Sequence, residues 1–264
     1  MELLLSTVLL RPYVFIFLGV YLLGSWLQLG PRVTLTFLPL GYLTAFLSEF
    51  SSIHCGFPYG GYYYIQATKG KEIWVLGVPF MDSISYVFLA ACSYSTAIFL
   101  MAPLARQEGG WRLGRERQWR QSRFVWVLAG FLMTILDVII DPVALQGEKW
   151  FLGQIYGYGS PGHYFGIPMS NFAGWLLVGL IMVKLMQILE ARWGTQARGP
   201  CIMGFKWAAL WGPGLYLGIL MFNIAVTFSI GDITLGLASS FIAGSLILMA
   251  AALTFYKSKY PMLD

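Results

Sequence analysis

Seven apolar stretches, each roughly 20 residues long, are separated by short polar loops along this chain. A helix of that length spans the hydrocarbon core of a bilayer, and in lipid only helices or closed barrels satisfy every backbone polar group. The expected spans are Pro12–Leu29, Val33–Phe50, Pro79–Leu104, Phe124–Leu145, Pro168–Leu189, Trp207–Phe228 and Thr234–Tyr256. Charged residues make up only 11% of the chain, against about 25% in a soluble domain. The expected fold is therefore an all-α polytopic membrane protein, with residues 1–264 forming one integral-membrane domain. Glu2 stands where a signal peptide would carry a basic region, which argues against a cleaved leader. Cys55, Cys92 and Cys201 are too scattered for a metal site or a disulfide framework.

Basic residues fix the expected orientation. Arg106, Arg112, Arg115, Arg117, Arg120 and Arg123 crowd one loop, Arg192, Arg198 and Lys206 another, and Lys257 and Lys259 follow the last span. Arg32 and Lys184 join them on that side. Only Arg11, Lys69, Lys71 and Lys149 fall on the other. The positive-inside rule then puts the C-terminus in the cytoplasm and the N-terminus outside. Because the cations sit in short loops between spans, they imply contact with lipid headgroups and no nucleic-acid partner.

With that orientation, nearly every polar group embedded in the apolar segments falls in the outer half of the membrane. Glu49 ends the second span beside "GFPYGGYYY", Asp82 opens the third, and Asp137 and Asp141 lie in the fourth. The loop "GQIYGYGSPGHYFGIPMSN" follows, with His163 in it and Asn171 at its end. Ionisable groups at membrane depth cost roughly 2.5–3.5 kcal/mol each and usually face a cavity or a partner. Asp137 and Asp141 are one helical turn apart on one face, and two carboxyl groups so close in a low dielectric are expected to hold a proton between them. The competing expectation is structural, with Asp141 capping the helix before Pro142 and Asp137 bonding a neighbouring helix.

A short internal repeat relates two of these regions. "GVPFMDSISY" (Gly77–Tyr86) and "GIPMSNFAGW" (Gly166–Trp175) share a Gly-[Val/Ile]-Pro start, Asp or Asn at the sixth position and an aromatic at the tenth. Each follows a span bearing an acid and a Gly/Tyr-rich loop, as in a parallel membrane repeat. The repeat pairs Glu49 with Asp137 and Asp82 with Asn171, and places a substrate between the two helix pairs. Other signals are thinner. His54 and His163 could join Glu49 around a metal, but they lack HxxH or HxxxH spacing, and no metal is expected. Tyr62, Tyr63 and Tyr64 also fit an interfacial aromatic belt. The absence of Walker, GxSxG, Rossmann and HExxH patterns argues against nucleotide-driven and triad chemistry.

Taken in order, "SEF…GFPYGGYYY", "LGVP", "LDVIIDP" and "YFGIPMSNFAGW" resemble the signature segments of the membrane carotenoid-biosynthesis family typified by CruF, the carotenoid 1,2-hydratases. The resemblance covers about Phe46–Leu177. It departs from the family pattern at Asp82, where the family is usually apolar, and at Tyr59 in "GFPYGGYYY", where the family tends to read "GFPFGxYxY". It implies addition of water to the terminal isoprene double bond of an acyclic carotenoid, giving a tertiary alcohol, in the cytoplasmic membrane of a prokaryote. It also implies a membrane-dissolved substrate and, as neighbours, other enzymes of the same pathway.

Such a reaction needs a proton donor, a stabilised tertiary cation and a positioned water, and no redox cofactor or metal. Asp137 is the leading expected donor, with Asp141 and Glu49 supporting it and orienting the water. Tyr59, Tyr62, Tyr64, Tyr164 and Trp175 offer aromatic faces to a cation. Asp82, His163 and Asn171 are the remaining expected substrate contacts. Burial weakens a carboxylic acid as a donor, so hydrogen bonds from Asn171 or a tyrosine must stabilise its conjugate base. The rival functions are another acid-initiated cyclase or isomerase of polyisoprenoids, a lipid- or pigment-binding protein, and a proton-coupled transporter. The orientation itself is testable. A reporter active only in the cytoplasm should work when fused to the C-terminus and fail in the loop at residues 66–72; the reverse pattern would invert the topology.

Overall fold

Prolines and glycines set the helix ends. The computed structural model describes residues 2–107, 110–114, 116–149, 152–194, 201–202 and 205–261. A short helix α1 (Glu2–Leu10) stops at Arg11, and Pro12 opens α2 (Pro12–Leu29), where its missing N–H costs nothing. Pro31 likewise opens α3 (Pro31–Cys55), which ends on Gly56 in the left-handed conformation. Strand β1 (Tyr62–Tyr64) and the hairpin of β2 (Trp74–Val75) and β3 (Val78–Pro79) lead into α4 (Phe80–Met101). Next come β4 (Leu104–Gln107), β5 (Gly110–Leu113), α5 (Glu116–Arg120) and α6 (Arg123–Ala144). Strand β6 (Tyr156–Tyr158) precedes α7 (Met169–Trp193), while β7 (Cys201–Ile202) and β8 (Phe205–Lys206) precede α8 (Trp207–Ser229) and α9 (Ile233–Lys259).

Among the described residues, seven helices are long and apolar enough to cross a membrane: α2, α3, α4, α6, α7, α8 and α9. They coincide with the seven expected spans, with one difference that matters. Helix α3 continues past Phe50 because the polar residues there bond back to their own helix. His54 Nδ1 lies 2.7 Å from Phe50 O, and Cys55 Sγ donates to Ser51 O at 3.0 Å. Glu49 is thus inside the helix rather than at its end. Helix α6 continues past Pro142 to Ala144, so Asp141 is an interior helical residue and not a cap.

Helix α4 is buried on nearly every side and α9 is largely exposed. At the end of the bundle that carries the basic loops, strands pair in the order β4-β5-β8-β7. These short strands were not expected from hydropathy, which cannot register two- to four-residue pairings. Arg115 and Arg198, used above for orientation, lie outside the described residues, as do the side chains of Arg106 and Cys201. Nor is this end as free of buried polar groups as expected. Arg120 Nη1 donates to Glu190 Oε1 at 2.7 Å, Tyr94 donates to Glu190 Oε2 at 2.5 Å, and Gln187 donates to Arg120 O at 2.8 Å. These residues bind one another and act as a brace.

The internal repeat has a matching backbone. Leu76 (φ 46°) and Gly77 (φ 88°) form the tip of one hairpin, and Phe165 (φ 48°) and Gly166 (φ 87°) form the tip of the other. Val75 pairs with Val78, and Tyr164 pairs with Ile167 in the equivalent place. Both central residues are left-handed, the geometry of a tight two-residue hairpin turn. Pro79 and Pro168 then cap α4 and α7. Helix α4 packs on α6 as α7 packs on α3, and β1 pairs antiparallel with β6, with Tyr63 opposite Gly157 at the centre. The aromatic positions of the two repeats meet: the rings of Tyr86 and Trp175 stack at 4.3 Å with 11° between planes.

One buried ion cluster ties the amino-terminal helices to this pair. Arg11 Nε lies 2.7 Å from Glu72 Oε2, Nη2 donates to Glu72 Oε1 at 2.9 Å, and Nη1 donates to Asp82 Oδ1. Arg11 and Glu72 are almost wholly buried. Removing one partner of such a cluster leaves an uncompensated charge, at about 3–5 kcal/mol. Arg11→Met should lower the unfolding temperature in detergent, and Arg11→Met with Glu72→Gln and Asp82→Asn should recover most of the loss. Equal melting of Arg11→Met and the parent would show that the cluster contributes nothing.

Candidate active site

Tyrosines of β1 and β6 reach the carboxyl groups of the helices from above. Side chains alternate along a strand, so Tyr62 and Tyr64 turn inward while Tyr63 is exposed. Tyr64 Oη donates to Glu49 Oε1 at 2.8 Å, and Ser83 Oγ donates to Glu49 Oε2. Across the sheet, Tyr156 Oη donates to Asp141 Oδ1 at 2.9 Å and Tyr158 Oη to Asp141 Oδ2 at 3.2 Å. Asn171 Nδ2 uses both hydrogens on the aspartates, donating to Asp137 Oδ2 and to Asp141 Oδ2 at 2.8 Å each. Burial first, then the adjacent Glu49 carboxylate, holds the Tyr64 phenol well above its ordinary value. Burial and Asp141 do the same for Tyr156. Both phenols therefore stay protonated and remain donors across the physiological range.

These groups line one cavity of about 150 Å³. Its walls include Glu49, Asp82, Asp141 and Asn171 together with Tyr59, Tyr62, Tyr64, Tyr86, Tyr156, Tyr158 and Trp175. Of the residues singled out from sequence, it gathers all but three. Asp137 is fully buried behind Asp141 and does not line the cavity, so the side chain of the pair that faces the cavity is Asp141. His163 is exposed in the loop after β6 and Tyr164 packs against Phe165 and Phe172; neither reaches the cavity. His54 is likewise exposed, stacked on Phe50, while Glu49 on the same helix points inward. The hydrogen bonds needed to stabilise the conjugate base of a donor are those of Asn171, Tyr156 and Tyr158. Asp82 sits on the wall with one oxygen on Arg11.

Several contributors were missed. Tyr156 and Tyr158 were seen only as loop composition, Tyr86 only as a repeat match, and Arg11 only as one of the few cations on its side. The lone arginine before the first span, on the side holding the membrane acids, was a readable signal. Glu72 offered none, because it lies in a polar loop whose path only folding defines.

Comparison with known proteins supplies the lineage of this arrangement. Residues 4–249 match the family described as carotenoid biosynthesis protein. The chain belongs to that family. Over 153 residues it is also 27% identical to the bisanhydrobacterioruberin hydratase of Haloarcula japonica, a match covering 57% of this chain and 43% of that protein. The chain thus spans less than half the length of this curated relative. No solved structure matches it. The family match covers both halves of the repeat and every residue on the cavity wall.

Asn171 is the group that makes the aspartate pair tolerable to bury. Asn171→Leu keeps a side chain of similar size there but removes both donors, and should cost about 1–3 kcal/mol in unfolding experiments. Ser170→Ala, which loses a 3.2 Å bond to Tyr59 O, should cost less. The opposite order would mean that the aspartates do not depend on the amide.

Proposed function

We propose that this chain is an enzyme that adds water to the terminal isoprene double bond of an acyclic carotenoid. The observation that carries this reading is that Asp141 and Glu49, each held by tyrosine hydroxyls, face one cavity walled by aromatic rings. The name of the Haloarcula relative supports hydration in particular.

In this mechanism a proton held by the Asp137/Asp141 pair passes from Asp141 to the less substituted alkene carbon. The π electrons form the new C–H bond and leave a tertiary cation on the neighbouring carbon. The faces of Tyr86, Trp175 and Tyr59 stabilise that cation. A water oxygen then bonds to the cationic carbon, and Glu49 takes the proton it releases. Alkene and water become one tertiary alcohol, and exchange with solvent resets both carboxyls. Tyrosine and asparagine hydrogen bonds oppose the acid-weakening effect of burial, because they stabilise the carboxylate that remains after proton transfer. A substrate dissolved in lipid accounts for a site at membrane depth, in the cytoplasmic membrane of a prokaryote. Neighbouring enzymes of the same pathway would supply the alkene and consume the alcohol.

A second reading follows from there being two separate carboxyl sites on one chamber: one could protonate and the other deprotonate carbon, shifting a double bond without water. Reaction of an acyclic carotene in heavy-oxygen water separates the two. Hydration adds one water mass per end group and carries the label; isomerisation leaves mass and label unchanged. Asp141→Asn should reduce product formation at least about a hundredfold at normal membrane level. Full activity in that variant, with loss in Asp137→Asn, would return the donor role to Asp137.

A further inference from the structure

A second apolar space runs along the seam between α2 and α8, with about 730 Å³ empty. Phe17 lines both this groove and the reaction chamber, so the two spaces meet at one side chain. Helix α8 continues the path. Ile219 and Asn223 line the chamber, while Gly218, Leu215 and Gly214 line the groove one and two turns further along. Its far part is bounded by Trp211, whose ring is seated against α2 because residue 24 is glycine; a Cβ there would lie 2.5 Å from Trp211 Cδ2. Trp211 Nε1 donates to Gln28 Oε1 at 2.8 Å, which fixes the ring.

Resting on the hydration reading, we infer that the α2/α8 groove holds the polyene body of the substrate while its end group occupies the chamber. Three observations select a polyene. The groove adjoins the chamber, with Phe17 on the wall of both. From Trp207 to Asn223 the path follows one helix for about 24 Å at 1.5 Å per residue, with Pro213 inside it. That suits a rigid conjugated rod, which cannot fold into the chamber as a flexible chain could. Finally, Gly214 and Gly218 have the spacing that in membranes usually brings two helices together, yet nothing lies within 4 Å of a Cβ at either. Here the missing side chains leave room for a ligand instead of a helix.

The same open space makes the test clean, because a Cβ at either position meets no neighbouring side chain or helix within 4 Å. Gly214→Leu and Gly218→Leu should fold and reach the membrane as the parent does. Their ratio of kcat/KM for a full-length acyclic carotene over a short acyclic terpene with the same terminal unit should fall at least about tenfold, through KM for the long substrate. Quenching of tryptophan emission by the carotene should weaken in parallel. An unchanged ratio, whether both activities persist or both fall together, overturns the inference, as it would if membrane lipid chains fill the groove. If the parent hydrates neither compound but still binds the carotene, and Gly218→Leu does not, the groove stands and the hydration reading fails.

Discussion

The cost of keeping carboxyl groups at membrane depth organises one end of this bundle. Glu49, Asp137 and Asp141 have no bulk water to solvate them, so each must find donors inside the protein. The helices supply Ser83 and Asn171, and the rest comes from loops. Tyr64, Tyr156 and Tyr158 reach the acids only because the two Gly/Tyr-rich loops fold inward and pair as β1 and β6. The tyrosine sheet is therefore both the solvation shell of the acids and the roof of the cavity beneath it.

The two halves share a scaffold but differ in chemistry. Matching hairpin tips, prolines and helix pairs place Asp82 and Asn171 in equivalent positions. Asp82 pairs with Arg11, which it shares with Glu72, and serves an ion cluster that anchors the amino-terminal helices. Asn171 is uncharged and serves the aspartates instead. One half thus carries a single glutamate with hydroxyl donors, and the other a carboxyl pair bridged by an amide. That inequality makes the two walls of one chamber chemically different, while the stacked Tyr86 and Trp175 sit where the halves meet.

Much of the fold was legible because a membrane span is encoded locally. The apolar run and its length suffice, and the seven helices fell where hydropathy placed them. The error came where a helix end depends on side chains bonding back to the backbone, as at His54 and Cys55. The acids were legible for a related reason: a charged residue inside an apolar run stands out against its surroundings. The tyrosines facing Asp141 lacked that contrast, since Gly/Tyr-rich loops are also what a membrane interface ordinarily contains.

By itself, the sequence determined the number of spans, the gathering of Glu49, Asp137 and Asp141 toward one end, and the relation between the two repeats. Each of these follows from the order of residues along single helices. Tertiary structure alone decided that Asp141 and not Asp137 faces the cavity, that Arg11 joins Glu72 and Asp82, and that His163 stays outside. Those outcomes turn on how each helix is rotated about its axis and where two loops cross. Packing between distant segments sets both, and no local pattern in the chain encodes either.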